Sequence, residues 1–240
     1  MDLLIIYDFD GVIADSEVVA NTVVAEMVTS LGLPTTLQDS YSLYMGKRFA
    51  EVTEVVERSI GRALPPTFAA ECQARTLARF RDELRVVDGA REYIAAFAHI
   101  PRCIASSSSP DRLALCLDVL GLQSLFGPHV FSASAVARGK PHPDIFLHAA
   151  QEMGVSPAKC IVLEDSPSGV EAAIAAGMMV IGILAASHIQ SKQRARLYSA
   201  GAHRVAQSFR EAEDITRQLL AAMQAKSASM PQSHQKPGCQ

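Results

Sequence analysis

Five short apolar-rich runs, at residues 3–7, 102–106, 129–133, 160–163 and 178–183, constrain this chain more than any other feature. A run that is apolar without alternation is what a strand buried on both faces requires, and such strands belong to parallel sheets. The stretches between the later runs have helical patterning. They end where C-terminal glycine caps are expected, at Gly121 after Leu120, Gly154 after Met153 and Gly177 after Ala176. Strand alternating with helix across short joints predicts right-handed crossovers and an α/β fold built on a doubly wound parallel sheet. Ligands of such sheets bind at the carboxyl ends of the strands, near a topological switch point. The residues that directly follow each run are therefore the functional candidates.

Between the first run and the second lie about 90 residues, too many for a single crossover, with helical patterning at 18–31, 50–60 and 67–84. Residues 16–84 are accordingly expected to form an inserted helical domain, with residues 1–15 and 85–225 making the core and a helix at 88–97 leading back to the sheet. A length of 240 residues accommodates a core plus such an insertion. Residues 226–240, rich in Ser, Gln, Lys and Pro, are expected to be a disordered tail.

A net charge of −3 with mixed signs gives no electrostatic reason to expect nucleic acid or an anionic membrane as partner. No apolar run approaches the ~20 residues of a membrane span. Residues 1–6 lack the basic region and cleavage site of a signal peptide, so a cytoplasmic location is expected. Five cysteines without a CxxC pair suggest neither a zinc site nor a disulfide framework, and buried thiols are expected.

Asp8-Phe9-Asp10-Gly11 follows the first run and sets two carboxylates at the sheet edge, although alone the segment also fits an Asp/Gly turn. Glu164-Asp165-Ser166 follows the fourth run and brings two more acids to the same edge, where Asp165 or Ser166 would also serve as a helix N-cap. Four acids on one edge repel unless a cation sits among them, and hard oxygen donors suit Mg²⁺. Ser106-Ser107-Ser108-Ser109-Pro110 opens a helix and offers hydroxyls and free amides to a phosphate oxygen; a serine-rich cap loop has the same appearance. Lys140, in a loop stiffened by Pro141 and Pro143, supplies the concentrated positive charge that an acidic protein needs to hold an anionic phosphate, if it is not simply solvated. His142 is given no role.

The order Asp8 and Asp10, then Ser106, then Lys140, then Glu164 and Asp165 resembles the four motifs of the haloacid dehalogenase-like superfamily, across nearly the whole chain. That resemblance implies a Rossmann-like core with a helical cap, and a Mg²⁺-dependent phosphatase acting on a small phosphorylated metabolite through an aspartyl-phosphate. By the same resemblance Asp8 is the nucleophile and Asp10 the general acid and base. Ser106, the following Ser107 and Lys140 hold the phosphoryl oxygens. Mg²⁺ is held by Asp8, the Asp10 carbonyl and Asp165, with Glu164 nearby or bridged by water. The inserted helices resemble the cap of the subfamily that includes beta-phosphoglucomutase and sugar phosphate phosphatases, 6-phosphogluconate phosphatases among them. Gly46, Lys47 and Arg48 fall where that subfamily carries a substrate-facing loop, and two exposed charges at a helix start are the plainer alternative for Lys47 and Arg48.

Three rival functions share parts of this pattern. A beta-phosphoglucomutase-like mutase would carry a histidine where this chain has Ala20. A true haloacid dehalogenase lacks an acid at the position of Asp10. A non-catalytic protein that only binds a phosphometabolite has no need of Asp8, Asp10, Lys140 and Asp165 together. Monomer and homodimer are both open.

Overall fold

The computed structural model describes residues 3–45 and 49–229. Gly46, Lys47 and Arg48, the expected cap loop, lie outside the described residues, as do residues 230–240. In chain order the elements are β1 (Leu4–Tyr7), α1 (Glu17–Ser30), α2 (Leu37–Leu43), α3 (Phe49–Ile60), α4 (Phe68–Glu83), α5 (Ala90–Ala96), β2 (Arg102–Ser106), α6 (Pro110–Leu120) and α7 (Gln123–Phe126). They continue with β3 (Val130–Ser132), α8 (Asp144–Glu152), β4 (Cys160–Glu164), α9 (Pro167–Ala175), β5 (Met179–Ile183), α10 (Gln193–Ser199), β6 (Arg204–Ala206) and α11 (Phe209–Ser229).

All strand pairings are parallel, in the order β3-β2-β1-β4-β5-β6. The chain winds outward from β1 through β2 to β3, then returns to the far side of β1 and winds outward again from β4. The switch point therefore lies between β1 and β4. There Tyr7 pairs with Leu163, so Asp8 and Glu164 leave the sheet side by side. The doubly wound sheet expected from the apolar runs is the observed one.

Alternate residues of β1 serve opposite faces of the sheet. Ile5 and Tyr7 pack with Tyr93 of α5, Leu117 of α6 and Phe209 of α11. Leu4 and Ile6 pack with Phe146 of α8 and Val170 of α9. Complete burial of such side chains is worth roughly 1.5–3 kcal/mol each before entropy is charged against it. Gly121, Gly154 and Gly177 take positive φ at the helix ends where caps were expected.

The helices α1 to α4 carry a separate apolar cluster that includes Val23, Met27, Val56, Phe68 and Cys72, and they form a cap inserted between β1 and α5. Two linker segments join it to the core and pair with each other: Asp15 N donates to Arg85 O at 2.9 Å, and Val87 N donates to Ile13 O at 2.9 Å. Five elements, α2, α7, α10, β6 and α11, were not anticipated. The helix α2 has only seven residues, but Thr36 and Asp39 close a reciprocal capping box on its first turn. The strand β6 has three residues, too few for periodicity to register.

The tail expectation is corrected at its start. Residues 226–229 are helical because α11 runs on through them to Ser229, and the sequence places no Gly or Pro before Pro231 to stop it. Cys72, Cys103, Cys116 and Cys160 are buried free thiols. None of the described helices is long and apolar enough to cross a membrane.

Candidate active site

Asp8 is the first residue past β1, and its N–H still donates to Leu163 O of β4 at 3.0 Å, which fixes its position against the neighbouring strand. Its side chain is buried on the floor of a cleft between sheet edge and cap. The Lys140 ammonium reaches both Asp8 Oδ1 and Glu164 Oε2 at 2.7 Å and lies 5.0 Å from the centre of the Phe146 ring. Glu164 is fully buried. Its other oxygen, Oε1, accepts from Ser166 N at 3.1 Å and from Ser166 Oγ at 2.7 Å. Gly169 makes room for it, since a Cβ there would lie 2.0 Å from Glu164 Cδ.

Asp8, Glu164 and Asp165 each offer an oxygen within 4.8 Å of the others. Three buried carboxylates face one ammonium. Burial, reinforced by the charge of Glu164, pushes the Asp8 carboxyl well above the usual carboxylate range against the opposing pull of Lys140. Burial also raises Asp165, opposed by a hydrogen bond from His188 and reinforced by Glu164. For Lys140, burial favours the neutral amine, but Asp8 and Glu164 outweigh it and hold the ammonium protonated. A hard dication among these oxygens removes the excess negative charge, so the donor set fits the metal that the sequence pointed to.

Asp10, two residues on, has different surroundings. Its carboxylate accepts from Ser16 Oγ at 2.5 Å, Ser108 Oγ at 2.6 Å and Arg112 Nη2 at 2.6 Å. Burial would raise its pKa, but Arg112 and the two hydroxyls outweigh burial and hold the carboxyl below its ordinary range. Asp8 and Asp10 thus share the edge without sharing partners, and the side chain of Asp10 is outside the acidic cluster.

The four serines divide into separate tasks. Ser106, at the end of β2, is buried and accepts from Ser108 N at 3.1 Å. Ser107 lines the cleft. Ser108 holds Asp10, and its carbonyl accepts from Ser132 Oγ at 2.7 Å. Ser109 caps α6, where its Oγ accepts from Arg112 N at 3.4 Å. The cleft thus brings together Asp8, Asp10, Ser106, Ser107, Lys140 and Asp165, while Glu164 stands behind Lys140.

Sequence reasoning passed over several residues of this cleft, among them Arg112, Glu17 and His188. Arg112 sits over the Phe80 ring of α4 at 4.9 Å, and its signal was a cation three residues beyond the helix cap. Glu17 lines the cleft from the cap side and accepts from Asn21 Nδ2 at 3.0 Å; burial, then the charge of Asp10, raises its carboxyl. His188, 6% exposed, contacts Asp165 Oδ2 through Nε2 at 3.2 Å. It lies beyond β5 at the same carboxyl edge but not directly after the strand, so the strand-end rule did not single it out.

A family profile described as haloacid dehalogenase-like hydrolase matches residues 3–177. The 6-phosphogluconate phosphatase of Escherichia coli K12 is 28% identical over 185 residues, covering 77% of this chain and 83% of that protein. The fructose-1-phosphate phosphatase YqaB of the same strain is 29% identical over 182 residues, covering 75% and 95%. Among solved structures, the haloacid dehalogenase-like protein ATU0790 of Agrobacterium tumefaciens, itself of unknown function, superposes with a TM-score of 0.81 at 35% identity, covering 93% of this chain and all of that one. A buried Asp–Lys–Glu arrangement at the switch point of a capped parallel sheet, together with a profile match over most of the chain, has one consequence: the chain belongs to the haloacid dehalogenase-like hydrolases and is an enzyme of that family.

Proposed function

We propose that this enzyme is a Mg²⁺-dependent phosphatase of a small phosphorylated metabolite, a sugar phosphate or sugar acid phosphate such as 6-phosphogluconate, working through an aspartyl-phosphate on Asp8. The observation that carries the reading is the Asp8–Lys140–Glu164 chain at 2.7 Å per contact, with Asp165 alongside. A carboxylate so buried is a nucleophile with little water to compete, and an ammonium next to it offsets the charge of an arriving phosphate. Bound at Asp8, Asp165 and the Asp10 carbonyl, with Glu164 nearby, Mg²⁺ supplies neutralisation of the carboxylates and of the phosphoryl oxygens.

Asp8 attacks phosphorus, the bond to the leaving oxygen breaks, and Asp10 delivers a proton to that oxygen. Asp10, then ionised, takes a proton from the water that attacks the aspartyl-phosphate and releases inorganic phosphate. Its partners favour the ionised state needed for the second half, so the first half requires Asp10 to leave Arg112 or to be protonated as substrate displaces it. Ser106, Ser107 and Lys140 hold the phosphoryl oxygens.

A cleft of about 650 Å³ between core and cap suits a metabolite of this size. Its polar cap-side groups, Glu17 and Asn21, suit hydroxyls, and Arg112 suits an anionic end. Ala20 lines the same cleft where the mutase pattern carries a histidine, which favours hydrolysis over phosphoryl return. The test is a phosphate-release screen of sugar phosphates, sugar acid phosphates, phosphoglycolate and nucleotides with Mg²⁺ and with EDTA. Release from sugar or sugar acid phosphates that EDTA abolishes supports the reading; isomerisation without net phosphate release refutes it.

A further inference from the structure

Of the three clustered acids Asp8, Glu164 and Asp165, the last is the one that Lys140 does not reach. Its carboxylate has a single side-chain partner among the described residues, His188, whose Nε2 lies 3.2 Å from Oδ2. Gly11 backs both groups, since a Cβ there would come within 2.0 Å of Oδ2 and 3.1 Å of His188 Cε1. With a φ of +79°, Gly11 is also in the region that favours glycine. Asp165 is therefore held against an imidazole and a backbone that has no room for a side chain. Gln193 Nε2 donates to the Asp165 carbonyl at 2.6 Å, so the segment beyond β5 grips this residue at two points.

That segment is itself tied to the cap linker. Ser187 N donates to Asp15 Oδ1 at 3.2 Å and Ser187 Oγ donates to Asp15 Oδ2. Asp15 stands in the linker that pairs with Arg85. A continuous run of contacts thus leads from the cap linker, through Ser187 and His188, to Asp165.

We propose that His188 is a positioning residue for the metal site: it fixes the Asp165 carboxylate in the orientation a divalent cation needs, and Asp15 registers the segment that carries it. The inference rests on the reading that Asp8 and Asp165 hold Mg²⁺. A carboxylate set beside two others is otherwise driven to turn away from them, and one donor on Oδ2 opposes that rotation while leaving Oδ1 to the cation. Partners of this kind commonly govern metal affinity about 10- to 100-fold.

Calorimetric titration of Mg²⁺ into the full chain tests it, with thermal melts in EDTA as a check on folding. His188→Met, which fills the site without a donor, is expected to bind Mg²⁺ at least about tenfold more weakly than wild type. His188→Gln, which restores an N–H, is expected to lie within about threefold of wild type, and Asp15→Ala to lose about two- to fivefold, less than the direct contact. Equal affinity in wild type and His188→Met overturns the role of His188, as does an equal loss in the Met and Gln variants. Unchanged affinity in Asp15→Ala overturns the registration by the linker. If His188→Met does not fold, His188→Ala takes its place and Mg²⁺ affinity equal to wild type there overturns the role of His188; unaffected affinity in Gln193→Met overturns the second grip on Asp165. Failure of the wild type to bind Mg²⁺ is a separate outcome, which removes the metal reading and this inference with it.

Discussion

The floor and the wall of the cleft are made of the same kinds of residue and balanced in opposite ways. On the floor, three carboxylates share one ammonium, and the carboxyls of Asp8 and Asp165 are pushed up. On the wall, one carboxylate has a guanidinium and two hydroxyls to itself, and Asp10 is pulled down. Two residues of sequence separate these conditions. The floor is over-supplied with negative charge, which suits the divalent cation proposed above and costs stability while that charge is unbalanced. The wall is self-sufficient, and its ion pair supports the fold.

The comparison breaks most directly at Asp8. Asp8→Asn is expected to lower phosphate release with Mg²⁺ by at least about a thousandfold, the scale of losing a nucleophile, while circular dichroism stays unchanged. Appreciable turnover by the variant would remove the nucleophile assignment. Next comes Lys140→Met, which leaves Asp8 and Glu164 buried without their shared cation. Urea unfolding in EDTA should show a loss of about 3–5 kcal/mol, partly recovered when Mg²⁺ is added. An undiminished stability would mean that the floor is not over-charged.

On the wall, Arg112→Met is expected to cost about 1–3 kcal/mol at pH 7. Because Asp10 is depressed in the folded state, its contribution is complete above the ordinary carboxylate range and lost as pH falls through its folded value. The difference between variant and wild type should therefore shrink below about pH 4. A difference that shows no decline as pH falls below about 4 would assign the effect to lost packing on Phe80 instead.

The smallest effect gives the sharpest contrast. In metal-free protein Asp8→Asn should raise the melting temperature at neutral pH by about 2–4 °C, the equivalent of ~1 kcal/mol for a chain of this size. Since Asp8 is raised in the folded state, ionising it costs stability at high pH, and the gain should fade as pH drops through its folded value. A lowered melting temperature would place Asp8 with the stabilising wall.

Much of the sheet was legible because parallel strands buried on both faces are continuous in apolar character, and helices that end in glycine announce their limits. Leu163 and the acids after it show this: a run of apolar residues, then an edge. The motif residues Asp8, Asp10, Ser106, Lys140 and Asp165 could be found because each stands at a strand end or in a loop of unusual composition, and the cleft brings all of them together. Arg112, Glu17 and His188 were not legible, because nothing local distinguishes a cation on the first turn of α6 or a histidine beyond β5 from a solvated side chain. Their importance comes from what lies opposite, and opposition across the cleft is a property of the fold.

Local pattern by itself determined the doubly wound sheet, the long helical insertion and the set of acids at one edge, since burial periodicity and strand-end position are written in adjacent residues. Only the tertiary structure decided which acid answers to which partner: Lys140 to Asp8 and Glu164, Arg112 to Asp10, His188 to Asp165. Those pairings join residues 23 to 132 positions apart, and electrostatics acts over ångströms of space, not over sequence.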